Sequence, residues 1–221
     1  MSARSKTVVE APPPRKKGRI ALFTAFEPFG GLEHNPSAAA LARLPEHIAG
    51  RPVVSRILPV STSDLDAALE VLPFDDADVV IMTGVALERP VLSIERVALN
   101  LLDFDRPDNQ GRAPQDRPIE EDAPLALASR LPVRAILKAW EAAGIPAKSS
   151  SSAGTYLCNQ AFFLGLRADY EGPLGFIHVA PDEVLLRTRA ASFYQPLEVT
   201  AHALALAAET VLAGLAPARA P

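Results

Sequence analysis

At 221 residues, with 48% hydrophobic and 22% charged side chains, the chain has the composition of one globular domain with an ample core. A single cysteine, Cys158, excludes an internal disulfide framework and a cysteine-rich zinc site. The net charge is −4; residues 1–18 hold five Lys/Arg against Glu10, or +4, so the remainder carries −8, which counts against nucleic acid and anionic membranes as partners.

Residues 1–18, with Pro12-Pro13-Pro14 ahead of Arg15-Lys16-Lys17, read as a disordered basic arm. They lack the apolar run of a secretory signal, and no stretch reads as transmembrane. Residues 19–215 then read as a single α/β domain and 216–221 as a frayed tail. Arg19–Ala25 predicts a buried strand and Phe26–Gly31 a turn broken by Pro28, Gly30 and Gly31. Asn35-Pro36-Ser37 predicts a helix start with Asn35 as N-cap. This corner has neither the G-x-G-x-x-G spacing of a dinucleotide site nor the Gly-Lys-Ser/Thr of a phosphate loop. Phe26 and Phe29 either plug the turn onto the core or form a slot for a flat ring, with Asn35 offering an amide to its polar edge.

Val53–Val60 predicts a second strand, and Thr62 or Ser63 caps a helix through Leu72. Asp78–Gly84 is an apolar central strand, followed by a loop to Pro90. Leu92–Leu102 is extended and carries Glu95, Arg96 and Asn100. The long, polar, Pro- and Gly-rich stretch Asp103–Asp122 suits a lid or an oligomer contact. Pro132–Gly144 predicts a helix and Pro146–Ser150 a short extended piece. The small residues of Ser149–Gly154 lead into a helix that holds Cys158 in its first turn and runs to about Tyr170. Leu174–Val179 is a strand carrying His178, and Leu197–Leu215 an Ala/Leu-rich closing helix. Strands alternating with helices mean α/β, with a twisted, largely parallel sheet between helix layers.

A thiol at a helix N-terminus feels the positive end of the peptide dipoles, which favours the thiolate, and the free N–H groups there suit an oxyanion. Taken singly, Cys158 also fits a small buried hydrophobe, His178 a structural histidine and Glu95 a solvated carboxylate. Brought together at the carboxyl edge of the sheet, they make a nucleophile, a general base and an orienting acid.

Six stretches resemble the pyroglutamyl peptidase I (pyrrolidone-carboxylate peptidase) family of cysteine peptidases: TAFEPFGG (Thr24–Gly31), the Asn35-Pro36-Ser37 helix start, IERVALN (Ile94–Asn100), RPDN (Arg106–Asn109), SAGTYLCN (Ser152–Asn159) and GFIHV (Gly175–Val179). The resemblance implies a three-layer α/β/α fold of phosphorylase/hydrolase type with a mixed sheet. It implies a cytoplasmic hydrolase of N-terminally pyroglutamylated peptides, without metal or cofactor, often tetrameric. By it, Cys158 is the nucleophile, His178 the base and acid, and Glu95 the orienting carboxylate. Phe26, Phe29 and Asn35 hold the lactam, Val85 acts through its backbone, and Tyr156 stands where the family often has Phe. The chain departs from the family at Leu87-Glu88, where Gly-Gly is usual before the loop arginine. It departs again at Asp105-Arg106, where Arg-Ile is usual. Read as extended, that second segment would turn its arginine to the opposite side. Two other readings stand beside the peptidase: a thiol hydrolase of another cyclic amide or acyl group, and a lactam-binding or regulatory protein without turnover.

Overall fold

The structure, a computed structural model, describes residues 20–215; the expected arm and tail lie outside them. Strand β1 (Ile20–Phe26) leads to α1 (Pro36–Leu41), then β2 (His47–Ile48), β3 (Arg51–Leu58) and α2 (Leu65–Glu70). After a 3-10 turn come β4 (Ala77–Val85), β5 (Leu92–Glu95), β6 (Val97–Leu99) and β7 (Ala126–Ala128). The chain continues through α3 (Val133–Ala142), β8 (Ala147–Ser150), α4 (Leu157–Arg167), β9 (Leu174–Val179), α5 (Glu183–Arg187) and α6 (Leu197–Leu215).

The sheet order is β2-β3-β1-β4-β9-β5-β8, with β4 at its centre. Pairs β1–β3, β1–β4, β4–β9 and β5–β8 are parallel; β5–β9 and β2–β3 are antiparallel. Side-chain alternation divides the interior in two. Ala21, Phe23, Val79, Ile81, Ile177 and Val179 face the layer of α1, α3 and α6. Leu22, Phe26, Val80, Met82, Leu174 and Phe176 face α2 and α4.

Trp140, fully buried on α3, donates its Nε1 hydrogen to Ala203 O of α6 at 2.8 Å. Helix α6 has the length and hydropathy to cross a membrane, yet it is a core helix: Ala203, Leu204, Ala207, Ala208 and Val211 are buried against the sheet side. Phe162 and Phe163, both 0% exposed, seat α4, and burying each contributes about 1.5–3 kcal/mol.

Several boundaries differ from expectation. Helix α2 begins at Leu65 with Asp64 in the cap position and no side-chain cap bond. Thr62 is taken instead by Asp108, whose Oδ2 accepts from its N–H and its hydroxyl. The extended run after Leu92 breaks at Arg96, because β6 leaves the main sheet to pair with β7. Helix α4 stops at Arg167, before the Gly172-Pro173 turn.

Candidate active site

Strand parity gathers the site. Gly84 on β4 lies in register with His178 on the parallel β9, and both face α4. On β5, Ser93 is opposite His178. Glu95, two residues further, keeps that face but lies deeper, because β5 runs against β9; it is 0% exposed. His178 Nδ1 donates to Glu95 Oε1 at 2.7 Å. A carboxylate only accepts, so the hydrogen is on Nδ1, and Nε2 is left as the basic nitrogen. Arg89 Nη1 donates to the same Oε1 at 2.5 Å. Burial alone would raise the pKa of Glu95; the hydrogen bond and charge of His178, with Ser150 and Arg89, outweigh it and hold the carboxyl below the usual range.

The sulfur reaches this pair through two local features. Asn159, beside it on α4, donates from Nδ2 to Leu99 O at 2.8 Å and to Leu101 O at 3.1 Å, and its Oδ1 accepts from Leu99 N at 2.8 Å. The first turn of α4 is thereby pinned to β6. Gly84 then provides the space: a Cβ there would lie 2.6 Å from Cys158 Sγ. Neighbouring strands are about 4.8 Å apart, so a sulfur over Gly84 sits beside the imidazole of its register partner. Backbone bonds of α4 start with Asn159 and Gln160 donating to Tyr156 O, which leaves the N–H groups of Leu157 and Cys158 without a backbone acceptor.

Cys158 and His178 line a cavity of about 280 Å³, together with Phe26, Phe29, Asn35, Val85, Tyr156 and Arg106. Every residue expected to bind or react is thus on its wall, except Glu95, which stands behind His178. Phe26 is 3% exposed, so it fills the core and walls the cavity at once. Tyr156 packs against Phe104, with ring centroids 4.4 Å apart, and donates its hydroxyl to Pro107 O at 3.1 Å. Its pKa is raised to about 12, by burial and then by Asp108, against the opposing charge of Arg106. It therefore remains a donor near neutrality.

Three of these residues, Cys158, Asn35 and Arg106, sit in surroundings that the sequence pattern does not specify. Burial, then the charge of Glu95, pushes the Cys158 thiol up to about 12, against the opposing pull of Arg89 and its own N–H. The dipole at the helix end acts in the opposite direction, and the residue is half-buried. Asn35 is mostly occupied. Its Oδ1 accepts from Ser37 N at 3.0 Å and Ser37 Oγ at 2.8 Å, and its Nδ2 donates to Glu27 O at 3.0 Å. One Nδ2 hydrogen remains for a ligand. Arg106 is not turned away, because Asp105-Arg106 is a bend rather than a strand, and both residues line the cavity.

Sequence reading assigned no role to Arg89, Gly84, Asp108 or Asn109. Asp108 and Asn109 moor the strap 103–117 over the cavity. Asp108 Oδ1 accepts from Gln110 N and Arg112 N, each at 2.9 Å, and its Oδ2 is bound to Thr62. Asn109 Nδ2 donates to Glu27 Oε1 at 3.1 Å and Pro28 O at 3.0 Å. The strap also grips the nucleophile's loop: Thr155 Oγ1 donates to Asp103 O at 2.6 Å, and Asp103 N to Thr155 O at 3.2 Å. Among the described residues, no group of three or more His, Cys, Asp and Glu is placed to hold a metal.

The pyroglutamyl peptidase family model matches residues 19–213. The pyrrolidone-carboxylate peptidase of Thermococcus onnurineus is 47% identical over 163 residues, 72% of this chain and 82% of its own. That of Deinococcus radiodurans is 40% identical over 204 residues, 87% of this chain and 94% of its own. The crystal structure of pyrrolidone carboxyl peptidase from Thermus thermophilus superposes with a TM-score of 0.83 at 50% identity, covering 86% of this chain and 100% of that one. With the match spanning nearly all the described residues and every element of the site, the chain belongs to the pyroglutamyl peptidase family.

Proposed function

We propose that this chain removes an N-terminal pyroglutamyl residue from peptides, with Cys158 as nucleophile, His178 as base and acid, and Glu95 as the carboxylate that orients the imidazole. One observation carries the reading: the Cys158 sulfur fills the space over Gly84, in register with a His178 already bonded to Glu95. The lactam ring enters between Phe29 and the Tyr156 side of the cavity, a slot that is apolar and offers one Asn35 hydrogen. The neutral thiol gives its proton to His178 Nε2 as sulfur bonds to the scissile carbonyl carbon. The N–H groups of Leu157 and Cys158 stabilise the oxygen that becomes negative. His178 returns the proton to the leaving amine, and water, deprotonated by the same nitrogen, hydrolyses the thioester.

A reactive thiol fits a reducing compartment, and we propose the cytoplasm. The family resemblance supports a homo-oligomer, with a tetramer expected on light scattering. The test of function is release of aminomethylcoumarin from pyroglutamyl-aminomethylcoumarin. Release that is abolished by Cys158→Ala and by iodoacetamide supports the peptidase. Release surviving Cys158→Ala overturns the mechanism. A protein that binds 2-pyrrolidone without turnover supports the lactam-binding reading instead.

A further inference from the structure

We propose that Arg89 is a positioning residue, whose guanidinium keeps Glu95 charged and thereby fixes which nitrogen of His178 is free to take the thiol proton. The inference rests on the reading of Cys158, His178 and Glu95 given above. Glu95 is fully buried, and a buried carboxylate stays ionised only beside a positive charge or strong donors. Protonated, His178 gives Glu95 both a hydrogen bond and a charge; with Nε2 free to act as base the imidazole is neutral and gives the bond alone. Facing Glu95 are His178 from β9, Arg89 from the loop between β4 and β5, the Ser150 hydroxyl from β8 and the neutral thiol of Cys158 from α4. While His178 is neutral, Arg89 is the cation of that set.

The geometry is specific. One oxygen, Oε1, accepts from Arg89 Nη1 at 2.5 Å and from His178 Nδ1 at 2.7 Å. Arg89 is partly exposed, its side chain 26% accessible against 0% for Glu95, so it brings charge to the acid without being stranded itself. The loop is braced where it crosses the end of β9: Ala86 N donates to Val179 O at 3.0 Å, and Arg89 N to Ala86 O at 3.1 Å. Without the guanidinium, Glu95 takes up a proton more readily. A neutral Glu95 donates its hydroxyl hydrogen to His178 Nδ1, and the imidazole then carries its own hydrogen on Nε2. In that tautomer the nitrogen facing the thiol has no lone pair to accept a proton.

The test compares Arg89→Met, Arg89→Gln and Arg89→Lys with the parent. For Arg89→Met, kcat/KM on pyroglutamyl-aminomethylcoumarin falls at least about tenfold, short of the roughly 10⁴-fold loss a wrong tautomer costs outright. The fall is carried by kcat, and the acid limb of the pH profile moves to higher pH. Arg89→Lys restores most of kcat and returns the limb. Arg89→Gln keeps a donor without the charge and shows the shifted limb even if Arg89→Met does not fold. Independently of turnover, the ¹⁵N shifts of His178 report Nδ1–H in the parent and a growing Nε2–H fraction in Arg89→Gln at mildly acidic pH. A folded Arg89→Gln with unmoved acid limb and unchanged ¹⁵N shifts overturns the proposal. A parent that fails to cleave the substrate, with the tautomer change still present in Arg89→Gln, overturns the peptidase reading alone.

Discussion

Replacing Gly84 by Ala tests the placement of the sulfur with a single methyl group. The added Cβ would stand 2.6 Å from Cys158 Sγ and 3.1 Å from Phe176 Cζ. Ordinary contacts between carbons are about 3.5–4.0 Å, so the sulfur must retreat by about 1 Å. Retreat is obstructed, because Asn159 pins the same turn of α4 to β6 and Phe162 and Phe163 are fully buried behind it. A misplacement of about 1 Å costs roughly 10² in rate, or about 2.7 kcal/mol of barrier. Overpacking adds about 1–3 kcal/mol of destabilisation. The assay is kcat/KM on pyroglutamyl-aminomethylcoumarin, paired with a denaturant melt to separate the two effects. The expected variant is folded, less stable and about a hundredfold slower. A Gly84→Ala protein with parental kcat/KM would refute the claim that the sulfur lies over that strand next to His178.

The remaining predictions follow from the same contacts. Because the Cys158 thiol is raised to about 12 by burial and by Glu95, its alkylation by iodoacetamide climbs with pH and shows no plateau below pH 9; a plateau near pH 6 would contradict a neutral resting thiol. Asp108→Ala leaves donors on Thr62, Gln110 and Arg112 without their acceptor, which costs about 2–3 kcal/mol in a urea melt and raises KM through a loosened strap. Burial would raise the Asp108 carboxyl, but the bonds from Thr62, Arg112 and Gln110 outweigh it and hold it below the usual 3.8. The strap's contribution is therefore full above that value and is lost as pH falls through the lower folded one, which a pH series of melts detects. Asn35→Ala removes the cap of α1, for about 1 kcal/mol of stability, and raises KM more than it lowers kcat; an unchanged KM would remove Asn35 from the substrate contacts.

Regular elements were legible where the pattern was local. Leu174–Val179 and Leu197–Leu215 coincide with β9 and α6, since a short, mostly apolar run after a Gly-Pro turn and a long Ala/Leu face leave little choice of element. Asn35-Pro36 declared α1 through a cap and a fixed φ. The catalytic trio was legible from its motifs. The antiparallel direction of β5, which lowers Glu95 beneath the sheet edge, was not, because strand direction depends on which neighbour a segment pairs with. The capping of α2 was misread for a similar reason: Asp108, from 44 positions after Asp64, captures Thr62 before the helix can. Arg89 escaped notice because a loop arginine looks solvated until its acid is known to be buried. The thiol's raised pKa depends on burial that no stretch of helix pattern contains.

The paired bonds between Thr155 and Asp103 have a mechanical consequence. The strap beside the pocket and the loop that presents the nucleophile are tied together, so a guest that steadies one is expected to steady the other. Deuterium uptake around Asp103 and Thr155 is then expected to fall when a ligand occupies the chamber.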